Sequence, residues 1–204
     1  MSQPWELTGA DVVDLAVPRE DEPRHVSRVR ITPQESPCWC WASLAAGMHN
    51  RWIAPPLDQR GVLRRVLGPG VKVPNKPCDA AGTCQADTTE PCRKAHSTRL
   101  ALLAIGLEVR PLPVHLAAEV LGALDDAPFV LRLSRNAASP EGHAVVVAGS
   151  EQGLIEILDP LAPPTADGSA APFFVPANGR FSLLTARLEP TDIYFVDGPA
   201  AGVA

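Results

Sequence analysis

The chain has 204 residues, 46% of them hydrophobic and 20% charged, enough for one domain with a buried core. A net charge of −5 and a pI near 5.5 exclude a phosphate-binding surface, so nucleic acid is not an expected partner. The opening residues have neither the basic nor the apolar part of a signal peptide, and no uncharged run reaches the ~18 residues of a membrane span. The expected chain is therefore cytoplasmic, or exported by a system that needs no signal peptide.

Residues 1–28 read as a weakly ordered N-terminal extension, 29–197 as the domain and 198–204 as a C-terminal tail. In "VSRVRIT", Val29 and Ile31 alternate with Arg28 and Arg30, which predicts a short strand with one wet face. From Cys40, the residues Leu44, Met48 and Trp52 recur every fourth position among alanines, predicting an amphipathic helix that Pro55-Pro56 terminates. A second helix is predicted over "DQRGVLRRVLG", up to Gly68-Pro69. After an irregular loop with Cys78, Cys84 and Cys92, "STRLALLAIGL" predicts a short helix with Ser97 as cap and Gly106 as stop. "PVHLAAEVLGAL" reads as another.

Beyond Pro128 the character changes. "FVLRLS", "HAVVVAGS", "GLIEILD", "FFVP", "RFSLLTA" and "DIYFV" are β-branched or aromatic runs separated by turn-forming residues. Helices first and strands after imply an α+β fold with an antiparallel sheet.

The chemistry concentrates in "QESPCWCWAS", residues 34–43. A cysteine opening a helix feels its positive end, and beside a histidine such a thiol can fall from ~8.5 to ~3–4 in pKa. Backbone N–H groups of the first turn lack helical partners and can donate to an oxyanion; the Gln34 amide would be a second donor. The base would be His143. A hairpin turn centred on residue 151 sets Val146 opposite Glu156, Val145 opposite Ile157 and His143 opposite Asp159, with Cβ atoms ~4.5–5.5 Å apart. A slip of one residue would separate the pair onto opposite faces.

Gln34, Cys40-Trp41-Ala42, Gly142-His143 opening an apolar strand and Asp159-Pro160 ending the next resemble, in that order, the papain-like cysteine peptidases. The compact bacterial branch is the more similar, with its plant-pathogen effector proteases and bacteriocin-exporter leader peptidase domains. The resemblance implies a helical lobe against an antiparallel β lobe with the cleft between. It also implies a Cys40–His143–Asp159 triad, an oxyanion hole of Gln34 and the Cys40 N–H, a protein or peptide substrate, and no cofactor or metal. Cysteine and histidine lie closer together than the ~130–150 residues usual in papain, and Asp159 stands where papain carries asparagine. An acyl-transferase, cyclase or deamidase would use the same triad, and a non-catalytic binding scaffold would keep only the fold.

Cys78, Cys84 and Cys92 do not have zinc-finger spacing, and Cys38 would complete an even set of four. The set is expected to be structural, whether as disulfides, as reduced thiols, or as a metal site using Cys38 or His96. His25, His49, His96 and His115 read as surface or core residues.

Overall fold

The computed structural model describes residues 29–36, 38–73, 95–113, 128–134, 142–151, 154–176 and 189–202. Among them lie helices α1 (Cys40–Trp52), α2 (Gln59–Leu67) and α3 (Thr98–Ala104) and strands β1 (Leu107–Leu112), β2 (Phe129–Ser134), β3 (His143–Glu151), β4 (Leu154–Leu158), β5 (Pro172–Pro176) and β6 (Glu189–Pro199). The strands form one antiparallel sheet in the order β1-β6-β2-β3-β4-β5. The helices pack against each other, and α1 lies on β3. This is the α+β division expected. The extension 1–28, the helix expected in "PVHLAAEVLGAL" from Val114 onward, the strand expected in "RFSLLTA", and Cys78, Cys84 and Cys92 lie outside the described residues.

The local signals account for most helix ends. Asp58 caps α2 by accepting the Gly61 N–H at 2.7 Å, and Gly68 closes it at φ 92°. Ser97 caps α3, accepting the Leu100 N–H at 3.3 Å, and Gly106, at φ 86°, turns the chain straight into β1. Strand β1 was not among the expected elements. Leu107 and Val109 are buried and Glu108 and Arg110 exposed, the pattern of a strand, and Pro111 is tolerated because β1 is an edge.

Two expectations change. Residues 29–34 keep the alternating burial of Val29 and Ile31 but form no strand; the bond from the Ala170 N–H to the Ile31 carbonyl at 2.8 Å is among those that hold this segment. Helix α1 is buried around its whole circumference from Cys40 to His49 rather than on one stripe, as expected of a helix enclosed by other elements. Burying Leu44 and Met48 completely stabilises by about 1.5–3 kcal/mol each, which outweighs the roughly 1 kcal/mol that Gly47 costs inside a helix.

Gly47 is there because the backbone of residues 30–31 crosses α1 at that point. A Cβ would sit 2.6 Å from the Arg30 carbonyl oxygen and 2.5 Å from Ile31 Cγ2. Gly47→Ala is expected to destabilise the fold by about 1–3 kcal/mol through overpacking, read as a lower urea midpoint with an unchanged slope.

Both faces of the sheet are buried. Val130, Ala144, Val146, Leu158, Tyr194 and Val196 belong to the core under the helices, while Phe129, Leu131, Val145, Val147, Ile155, Ile157 and Ile193 form a second cluster. This alternation explains why β2, β3 and β4 read as nearly continuous apolar runs. Among the described residues no helix is long and apolar enough to cross a membrane.

Candidate active site

Cys40 is the first residue of α1 and only 8% exposed. The N-cap residue is Trp39, a side chain that makes no capping hydrogen bond, and the first turn holds no acidic residue. Neither the N-cap side chain nor an acidic residue in the first turn therefore offsets the positive helix end at the sulfur. Trp39 and Trp41 are fully buried on either side of the cysteine and fix its position. The Trp41 ring meets the His96 ring edge-on, with centroids 5.1 Å apart.

His143 opens β3, where Leu133 of β2 is its partner across the ladder. Its Nε2 lies 2.6 Å from Asp159 Oδ1, and its side chain also hydrogen-bonds that of Cys40. With Nε2 committed to Asp159, Nδ1 is the nitrogen left for the sulfur. Burial by itself would push the His143 pKa down. The Asp159 carboxylate, through charge and hydrogen bond, and then Cys40 override it and push the value up to about 10. Asp159 is itself held, because the same Oδ1 accepts the Leu161 N–H at 2.7 Å and its carbonyl accepts the Ala162 N–H at 3.0 Å.

The two residues meet by a different register from the one expected. Val146 pairs with Leu158, not Glu156, and a bulge follows between Val147 and Gly149. Continuing the Val146–Leu158 pairing places Asp159 across from Val145, on the diagonal to His143. Because the slip is two residues, both side chains stay on one face, and a diagonal pair remains within reach of longer side chains.

Gln34 enters through its backbone. Its N–H donates to the Pro160 carbonyl at 2.8 Å, which ties its segment to the corner that carries Asp159. Its side-chain Oε1 is buried without a hydrogen-bond partner. Ser43, on α1, donates from Oγ to the Thr32 carbonyl at 2.5 Å and links the cysteine's helix to the same segment. His143 thus touches both Asp159 and Cys40, and Gln34 is anchored through the Pro160 carbonyl next to Asp159.

Sequence reasoning passed over Ser43, the Pro160 carbonyl and the side chain of Gln59. Most of their bonds go to backbone groups far away in the chain, so residue spacing carried no signal for them.

The structural cysteine set is not supported. Cys38 is a free, half-buried thiol whose pKa is raised, first by burial and then by Cys40 beside it. Among the described residues no three His, Cys, Asp or Glu side chains converge as a metal site requires. His49 proves to be core: it is fully buried, and its pKa is lowered chiefly by that burial.

No protein-family model matches the sequence, and no curated protein matches it either. Similarity appears at the level of solved structures. The peptidase domain of Streptococcus ComA, a bi-functional ABC transporter involved in a quorum-sensing pathway, is 12% identical with a TM-score of 0.48, over 83% of this chain and 98% of that one. A candidate C39-like peptidase from Bacillus anthracis is 14% identical with a TM-score of 0.50, over 88% of this chain and 100% of that one. The second likeness establishes the fold as that of the C39-like, papain-like α+β proteins.

Proposed function

We propose that the chain is a cysteine peptidase that hydrolyses peptide bonds through Cys40, His143 and Asp159. The observation that carries this is the continuous chain of contacts from Asp159 Oδ1 to His143 Nε2 at 2.6 Å, and from the same imidazole to the cysteine that begins α1. A structural histidine has no need of a buried carboxylate on one side and a helix-terminal thiol on the other.

In the reaction, the proton shared by Cys40 and His143 rests on the imidazole, whose charged form Asp159 stabilises, and the Cys40 thiolate attacks the peptide carbonyl carbon. The tetrahedral oxyanion takes hydrogen bonds from the Cys40 backbone N–H and the Gln34 side-chain amide. His143 returns the proton to the departing amine as the C–N bond breaks, leaving a thioester on Sγ. The freed imidazole then takes a proton from water, whose oxygen attacks the thioester. A second tetrahedral collapse releases the carboxylate product and restores the thiol. Asp159 holds the imidazole in orientation and stabilises its charged form; it exchanges no proton itself.

The oxyanion role assigned to Gln34 rests on its side-chain NH₂, the end of the amide that can donate. Gln34→Ala is expected to lower kcat by about 10²–10³-fold with little change in KM. The overall reading is tested by adding the purified chain to a denatured proteome and sequencing new N-termini. Their appearance at recurring sequences supports a peptidase. Ligated products, or ~1 Da increases at glutamine without cleavage, would replace hydrolysis with acyl transfer or deamidation.

A further inference from the structure

We infer that Gln59 is the positioning residue of the oxyanion hole and acts through Gln34; this rests on the peptidase reading above. Gln59 begins α2, away from the cysteine, and is 1% exposed. A fully buried glutamine must find partners for its amide. These partners are all in the four-residue segment that contains Gln34. Its Nε2 donates to Thr32 Oγ1 at 3.0 Å and to the Pro33 carbonyl at 2.8 Å, and its Oε1 accepts the Glu35 N–H at 3.0 Å.

The two backbone bonds fall on the residues immediately before and after Gln34. Reversing the Gln59 amide would set oxygen against the Pro33 carbonyl and NH₂ against the Glu35 N–H, so the network admits one orientation only. One amide therefore clamps both flanks of Gln34, and the Pro160 carbonyl accepts Gln34's own N–H at 2.8 Å. The pairing of Arg60 with Glu35 adds an ion pair next to the clamp. Such over-determination of a short extended segment is unnecessary for burial alone, because Thr32 is exposed and Pro33, Gln34 and Glu35 are only partly buried. It does what an oxyanion donor needs: it fixes the backbone from which the Gln34 side-chain amide projects before substrate arrives.

The test compares two reactions of Cys40 in the full chain. Iodoacetamide alkylates a thiolate by displacing iodide and develops no oxyanion, whereas p-nitrophenyl acetate acylates it through a tetrahedral oxyanion. Gln59→Leu is expected to leave the alkylation rate within about twofold and to slow acylation by about tenfold or more, as loss of an aligned oxyanion donor requires. The double variant Gln34→Ala/Gln59→Leu should then acylate no more slowly than Gln34→Ala alone, because one effect works through the other. Equal acylation in Gln59→Leu and wild type, or additive losses in the double variant, would overturn the role of Gln59 and leave the peptidase reading standing. Absence of Cys40 alkylation in the wild type would overturn both. If Gln59→Leu does not fold, Gln59→Glu serves in its place: it keeps the shape and the acceptor for Glu35 and removes the NH₂ donors. The same slowed acylation with normal alkylation is expected from it.

Discussion

Cys40→Ala is expected to lower peptide hydrolysis by about six orders of magnitude, the scale on which a nucleophile that works as a unit with its base is lost. The protein should remain folded. Removing Sγ from a side chain that is already 8% exposed deletes one heavy atom from the edge of the core, which costs on the order of 1 kcal/mol. Cys38→Ala makes the sharper comparison, because the two thiols are separated only by Trp39. Cys38 does not open the helix, and burial raises its pKa, which lowers the thiolate fraction a nucleophile needs. Its replacement should leave turnover essentially intact. Kinetics and thermal melts on the two variants check both halves of this statement. Full activity in Cys40→Ala together with loss in Cys38→Ala would reverse the assignment.

The second large effect is expected from Asp159→Asn, which keeps the shape of the carboxylate and removes its charge. Turnover should fall by about 10²-fold at neutral pH: the asparagine oxygen can still accept from the imidazole and orient it, but the charge that stabilises the imidazolium is gone. The pH profile should change with it. His143 is pushed up to about 10 in the folded protein, against an ordinary value of 6.5, and the Asp159 carboxylate is the largest cause acting in that direction. Since the imidazolium must protonate the leaving amine, the wild-type alkaline limb should lie near that raised value and move toward neutrality in Asp159→Asn.

Stability should follow the same sign. A group with a raised pKa binds its proton more tightly when folded, so its contribution is complete below the unfolded value and disappears as pH climbs through the folded one. The gap in denaturation midpoint between wild type and Asp159→Asn should thus be widest near pH ~6 and nearly closed by pH ~11. A gap that widens toward alkaline pH would contradict the ion pair.

The sequence exposed the contents of the site better than its framework. Cys40, His143 and Asp159 could be paired because each sits at a boundary with a local signal: a helix start after a proline-bearing turn, a strand start after glycine, and a strand end before Pro160. Their meeting was reasoned from a hairpin register that proved two residues out. Loop length and the bulge after Val147 set that register, and neither is visible in an apolar run such as Val145-Val146-Val147. His143 and Asp159 still meet because a strand repeats every two residues; a slip of one would set them on opposite faces. Strand β1 was missed because Pro111 and Pro113 argue against a strand unless the strand is known to lie at an edge, and that is a property of the whole sheet.

The amphipathic reading of α1 failed for a related reason. Leu44, Met48 and Trp52 mark one stripe, but small residues such as Ala42, Ala45, Ala46 and Gly47 mark a helix that others can approach closely on every side. Periodicity weighs apolar bulk and gives little weight to closeness. Gln59 was least legible of all. Its chemistry lies in bonds to Thr32, Pro33 and Glu35, between 24 and 27 positions away, and two of the three partners are main-chain atoms that any residue would supply.

The central claim, that Cys40 carries the acyl group of a cleaved peptide, is most directly tested by catching that group on the enzyme. The wild-type chain is mixed with a peptide ester made from the sequence it cuts best, quenched in acid within the first turnover, and weighed intact before peptide mapping. The account predicts one acyl group per chain, located on the peptide that contains Cys40 and removed by hydroxylamine as a thioester would be. Continued cleavage with no acyl adduct, or an adduct on Cys38, would contradict it.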